Sequence, residues 1–161
     1  MTSQSGEVPA AFCHQYDGDL VTLRSARRAV VSWLEQQGAD DDAKQRAALI
    51  VSELTSNAVQ ASPGVPYSVE ATRIDDEFAS ITVRNHPGGQ TPPPREKWRP
   101  AINLSLEDLS PRGRGLLIVE SLSDGLTIEH HSEEVAITAR LRIDGAGRSA
   151  IHPASTSGQG S

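Results

Sequence analysis

A single cysteine, Cys13, stands in 161 residues. It leaves no partner for an internal disulfide and no thiolate set for a multi-cysteine metal site, so a reducing compartment is expected. Nowhere does the chain approach the roughly 20 consecutive apolar residues that a membrane-spanning helix needs. The first 15 residues also lack the basic-then-apolar order of a secretory signal. A cytoplasmic protein without membrane contact is the expectation. Positive charge is scarce: 15 Lys and Arg face 21 Asp and Glu, a net charge of −6. No uniform positive field draws in a polyanion, and direct nucleic-acid binding is not expected. Apolar residues are few as well, at 37%. They suffice for one core once the ends are set aside. Residues 1–10 and 145–161 are rich in Gly, Ser, Ala and Pro, too poor in large apolar groups to offset the entropy of ordering them. Both are expected to be disordered, which leaves one domain over residues 11–144.

Within that domain the apolar pattern changes period. Leu23, Ala26, Val30, Trp33 and Leu34 form a helical stripe that stops at Gly38. The acidic run Asp40–Asp42 suits the start of a second helix through its dipole. There Ala43, Ala47, Ile50, Val51, Leu54 and Ala58 make an apolar face, ended by Ser62-Pro63-Gly64. The two helices should pack as a pair. Tyr67, Val69 and Ala71, then Ala79, Ile81 and Val83, alternate on either side of the turn Asp75-Asp76-Glu77, which reads as an antiparallel hairpin. Residues 86–112 show neither period and hold six of the ten prolines, a loop of unusual length for a small domain. Gly113-Arg114-Gly115 then opens a short helix, Leu116 to Leu122. Strands at Leu126–His130 and Val135–Ile143 follow. The order predicts an α/β (α+β) two-layer sandwich, a mainly antiparallel mixed sheet with helices on one face. The chain has no internal repeat.

Three local patterns carry chemistry. In ELTSN at 53–57, Glu53 and Asn57 are four residues apart, about 40° around a helix, and project the same way. Ser56 and Gln60 extend this polar stripe beside the apolar one. A solvated helix face is the commoner source of such a pair taken alone. An amide oxygen is nonetheless a hard, neutral ligand for Mg²⁺, and a carboxylate one turn away can take a proton from a hydroxyl attacking a phosphate. In TVRNHPGGQ at 82–90, Asn85 ends a strand before Gly88-Gly89, a pattern that a simple turn also produces. In SPRGRGLLIVESL at 110–122, two glycines lead into an apolar helix, whose N–H groups suit phosphate. The run is neither a Walker A loop nor a dinucleotide fingerprint.

Taken in order, ALIVSELTSNAV at 48–59, the strand end at Asn85 and GRGLLIVESLSD at 113–124 resemble the N, G1 and G2 boxes of the GHKL ATP-binding superfamily, named for gyrase, histidine kinases and MutL. Within it the chain is most similar to the anti-sigma-factor serine kinases of the RsbW and SpoIIAB type, in their actinobacterial form. The resemblance implies the Bergerat-type ATP-binding fold, with ATP and Mg²⁺ as ligands and residues 86–112 as the ATP lid. It implies Glu53 as general base and Asn57 as the Mg²⁺ ligand. Asn85 would lie at the adenine, with Gly89, Gly113, Arg114, Gly115 and Leu116 completing the nucleotide contacts. It further implies a homodimer that binds a sigma factor and phosphorylates a serine or threonine of an anti-sigma-factor antagonist.

Departures from the family pattern keep a second function open. Family members usually carry Asp where this chain has Asn85, and Gln60-Ala61-Ser62 stands where a His is common. A protein-binding regulator that keeps the fold but binds ATP weakly and transfers no phosphate fits the same residues. The catalytic half of a two-component histidine kinase fits them poorly, because the first helix contains no His. Trp98, between Lys97 and Arg99, reads equally as a ligand contact or a surface residue. His86 reads as a solvated loop residue, and His130 and His131 as strand-end residues without a third metal ligand.

Overall fold

The computed structural model describes residues 11–86 and 111–144. The two proposed tails and residues 87–110, with Gly89 and Trp98, lie outside the described residues.

Helix α1 (Leu23–Gln36) follows a short 3-10 turn at Leu20–Thr22 and buries Ala26, Val30, Trp33 and Leu34. It ends where the stripe ends. Gly38 takes φ +81°, and the Gly38 and Ala39 amides donate to the Glu35 and Leu34 carbonyls, closing the helix in a Schellman arrangement. Helix α2 (Asp41–Ala61) begins at once, with the Asp40 carboxylate accepting from the Ala43 amide at 2.7 Å and Asp41 and Asp42 in the first turn. All six expected apolar positions of α2 are buried. α2 packs between α1 and α3 (Pro111–Leu122), and all three helices lie on the same face of the sheet.

Strands β1 (Ala11–Tyr16), β2 (Tyr67–Arg73), β3 (Phe78–Asn85), β4 (Leu126–His131) and β5 (Glu134–Arg142) form a sheet of order β1-β2-β3-β5-β4, antiparallel at every described pairing. The period of two places Val69, Val83 and Ile137 side by side on the helix-facing side, with Ala71, Ile81 and Ala139 in the next row. Each large apolar side chain fully buried there contributes roughly 1.5–3 kcal/mol. The turn between β2 and β3 is held by the Asp75 carboxylate, which accepts from the Glu77 and Phe78 amides at 2.8 Å each. On the opposite face Arg84 lies 3.0 Å from Glu70 and 3.6 Å from Glu134.

The architecture agrees with the expected two layers, and differs from the predicted elements in two places. Residues 11–16, where the sequence pattern predicts no element, form the edge strand β1. Its residues are exposed except for the half-buried Phe12 and Tyr16, so no apolar alternation marks it. Helix α3 starts at Pro111, ahead of the expected Leu116. Proline is pre-shaped for a first helical position, where its missing N–H costs nothing. Gly113, Arg114 and Gly115 therefore lie inside the first turns of the helix, and residues 111 and 112, expected at the end of the lid, belong to it.

At the far end of the helices, the Arg46 guanidinium donates to Asp42 at 2.8 Å and to the Leu122 and Arg142 carbonyls at 3.1 and 3.2 Å. It ties α2, the end of α3 and the end of β5 into one unit.

Candidate functional site

Glu53 and Asn57 share the α2 face that turns toward α3. Asn57 is buried and Glu53 half-buried, so the pair does not belong to a solvated face. Across from them, the α3 backbone comes so near that a Cβ added at Gly115 would stand 2.8 Å from Glu53 Oε2. Only a residue without a side chain permits that approach while the carboxylate stays in place. The first turn of α3, which precedes Gly115, carries backbone N–H groups without intrahelical partners and forms the positive end of that helix. Leu116, the next residue, is in the core, with 1% of its surface exposed. Its side chain packs into the core cluster.

Asn85 ends β3 opposite Val135, on the helix-facing side of the sheet. It is only 7% exposed, yet among the described residues its amide group has no side-chain hydrogen bond. The strand end is fixed to α2 by a different residue. Ser62, which caps the C-terminus of α2 and is itself buried, donates from Oγ to the carbonyl of His86 at 2.5 Å. This bond sets the end of the helix bearing Asn57 against the residue that follows Asn85. In the sequence, Ser62 reads only as part of the helix stop Ser62-Pro63-Gly64. No local pattern marks this contact, because it depends on how the end of α2 packs against the end of β3.

Of the residues singled out from sequence, Glu53 and Gly115 are brought into contact, Asn57 stands one helical turn from Glu53, and Asn85 is tethered nearby through Ser62. Gly113 and Arg114 fall in the first turn of α3, and Gly89 lies outside the described residues. His86 is exposed, and His131 pairs with Glu129 at 3.3 Å on the sheet edge. Among the described residues no three His, Cys, Asp or Glu side chains converge as metal ligands. A cleft of about 520 Å³ between Asp17–Leu20 and Gln60–Gly64, and one of about 250 Å³ around Gln15, Arg84 and Glu134, include none of the four residues Glu53, Asn57, Asn85 and Gly115.

A helix face with a carboxylate and an amide, a neighbouring helix N-terminus packed on the carboxylate through glycine, and a buried amide at a strand end define an ATPase fold of the histidine kinase kind. Residues 17–141 match the histidine kinase-like ATPase domain, and the chain belongs to that family. Among solved structures it is similar to the RsbU and RsbW domains of Rv1364c from Mycobacterium tuberculosis, with a TM-score of 0.60 at 20% identity. That match covers 84% of this chain and 33% of the other, so this chain spans about a third of its length. At this identity the likeness concerns the fold. No curated protein sequence matches the chain significantly. No helix among the described residues is long and apolar enough to cross a membrane.

Proposed function

We propose that this domain, residues 11–144, binds Mg²⁺ and ATP between α2, α3 and the end of β3, and transfers the γ-phosphate to a serine or threonine of a protein antagonist. In this reading it is a cytoplasmic partner-switching regulator whose other partner is a sigma factor. The observation that carries the reading is the apposition of Glu53 and Gly115. It supports a proton acceptor one turn from the N-terminus of a helix, near where a γ-phosphate and an incoming hydroxyl would meet.

The donors present fit the ligands. Asn57 supplies a neutral oxygen, and Mg²⁺ takes few protein ligands and completes its shell with phosphate and water. The ion would supply charge neutralisation between the phosphates. Glu53 would accept the proton of the attacking hydroxyl as its oxygen bonds to the γ-phosphorus and the bond to the ADP oxygen breaks. The N–H groups at the start of α3 would hold phosphate oxygens, and Asn85 would face the base.

Glu53→Ala should lower phosphotransfer by about 10²-fold or more and change the ATP dissociation constant only a few-fold. Equal transfer by both proteins would remove Glu53 from the mechanism. One observation favours a second reading, a protein-binding regulator that transfers no phosphate: Asn85 stands where a charged acceptor for adenine is usual. Calorimetry with Mg·ATP decides between them. No heat at millimolar nucleotide would leave the binding module as the function.

A further inference from the structure

We infer that Asn85 makes the base pocket accept both 6-amino and 6-oxo purines, so that the chain binds guanosine and inosine triphosphates as well as ATP. The inference rests on the nucleotide-site reading above and names the substrate class of that site. Its ground is a feature of this chain: an amide more than nine-tenths buried at the end of β3, without a side-chain hydrogen bond among the described residues. An amide with neither of its atoms held by a neighbouring side chain can hydrogen-bond a ligand placed against it.

The chemistry of the amide sets what that ligand can be. A carboxylate offers only acceptor oxygens, so in this position it takes a hydrogen bond from the 6-amino group of adenine and repels the 6-oxo group of guanine or hypoxanthine. An amide carries an acceptor and a donor on one planar group. In one orientation its oxygen accepts from a 6-amino group, and after a 180° turn its NH₂ donates to a 6-oxo group. No side chain among the described residues holds the amide in either orientation. The backbone, by contrast, is fixed: Ser62 Oγ grips the carbonyl of His86 at 2.5 Å, and Asn85 is paired with Val135 on β5. The base would thus meet a group fixed in position and free in orientation. A site built to hydrogen-bond one pattern rejects the other by several powers of ten, whereas a reversible amide forfeits that discrimination.

The test is calorimetric titration of the full chain with Mg·ATP, Mg·GTP and Mg·ITP, repeated on Asn85→Asp. Wild type should bind GTP and ITP within about tenfold of ATP. Asn85→Asp should widen the ratio by at least tenfold, strengthening ATP and weakening the 6-oxo nucleotides. Wild-type protein that prefers ATP over GTP by more than a hundredfold overturns the inference, and needs no variant to do so. An Asn85→Asp protein with an unchanged ratio and an unchanged melting temperature overturns it too. If neither protein binds any of the three nucleotides, the nucleotide-site reading has failed, and this inference with it. ATP bound with strong discrimination refutes the inference alone.

Discussion

Glu53 Oε2 occupies the space in which a side chain on residue 115 would begin: a Cβ there would lie 2.8 Å from that oxygen. The neighbour is the far end of a flexible side chain, not a backbone, so a methyl group at 115 displaces the carboxylate and leaves both helices where they are. Gly115→Ala also removes a glycine from a helix, which favours the helix by up to about 1 kcal/mol. The expected result is an unchanged or raised melting temperature together with a phosphotransfer rate lowered tenfold or more. Thermal melts and single-turnover transfer, run on one preparation, check it. A variant that unfolds while keeping its specific activity would show that the glycine serves packing.

Ser62→Ala removes the hydroxyl that joins the α2 C-terminus to the strand end. One buried hydrogen bond of this kind is worth about 1 kcal/mol, so the urea midpoint should fall measurably and the cooperativity should persist. Because the bond ends one residue beyond Asn85, nucleotide affinity should fall by more than the stability loss explains, and Ser62→Thr should restore part of it. A fall in stability with unchanged affinity would confine Ser62 to capping.

Gly18 faces a harder obstacle. A Cβ there would stand 2.2 Å from the Val65 carbonyl oxygen and 2.6 Å from its nitrogen, and the Gly18 carbonyl already accepts from the Gly64 amide at 2.8 Å. Backbone cannot move aside as a side chain can, so Gly18→Ala should cost about 2–4 kcal/mol. The expected readout is poor soluble yield, or a melting temperature lowered by about 10 °C or more. An unchanged melting temperature would refute the close approach.

Alkaline pH should weaken the fold through two tyrosines. Tyr67 is 1% exposed, hydrogen-bonded to Thr22 Oγ1 at 2.8 Å, and stacked on Tyr16 with ring centroids 5.6 Å apart. Burial raises the Tyr67 phenol above its ordinary 10.0, an effect that the Thr22 hydroxyl partly offsets. Burial, then the neighbouring Tyr67, raises Tyr16 as well. A raised acid releases its proton later in the folded state than in the unfolded one. Its contribution is therefore complete below about pH 10 and is lost as pH climbs through the folded value. Urea midpoints should hold from pH 8 to about pH 9.5 and then decline. In Tyr67→Phe the decline should be shallower, on a baseline lower by about 1 kcal/mol for the lost hydrogen bond. A parent and variant with the same alkaline slope would exclude Tyr67 as the cause.

Local pattern determined most of the elements of this protein. The 3.6 period of α2 placed Ala43 through Ala58 in the core and, by the same geometry, put Glu53 and Asn57 on one side of the helix. The period of two did the same for β2, β3 and β5, because a half-buried strand must alternate. The edge strand β1 carries no alternation since most of its residues are exposed, and α3 starts earlier than its apolar run because glycines that break an isolated helix are tolerated beside a proline-initiated first turn. What no periodicity contains is distance between elements. That Gly115 meets Glu53, that Ser62 holds the carbonyl after Asn85, and that the Asn85 amide is buried without a side-chain partner among the described residues depend on how α2, α3 and β3 pack together. Packing is set by side-chain volume and burial summed over the whole core, a property of the folded chain and of no single segment.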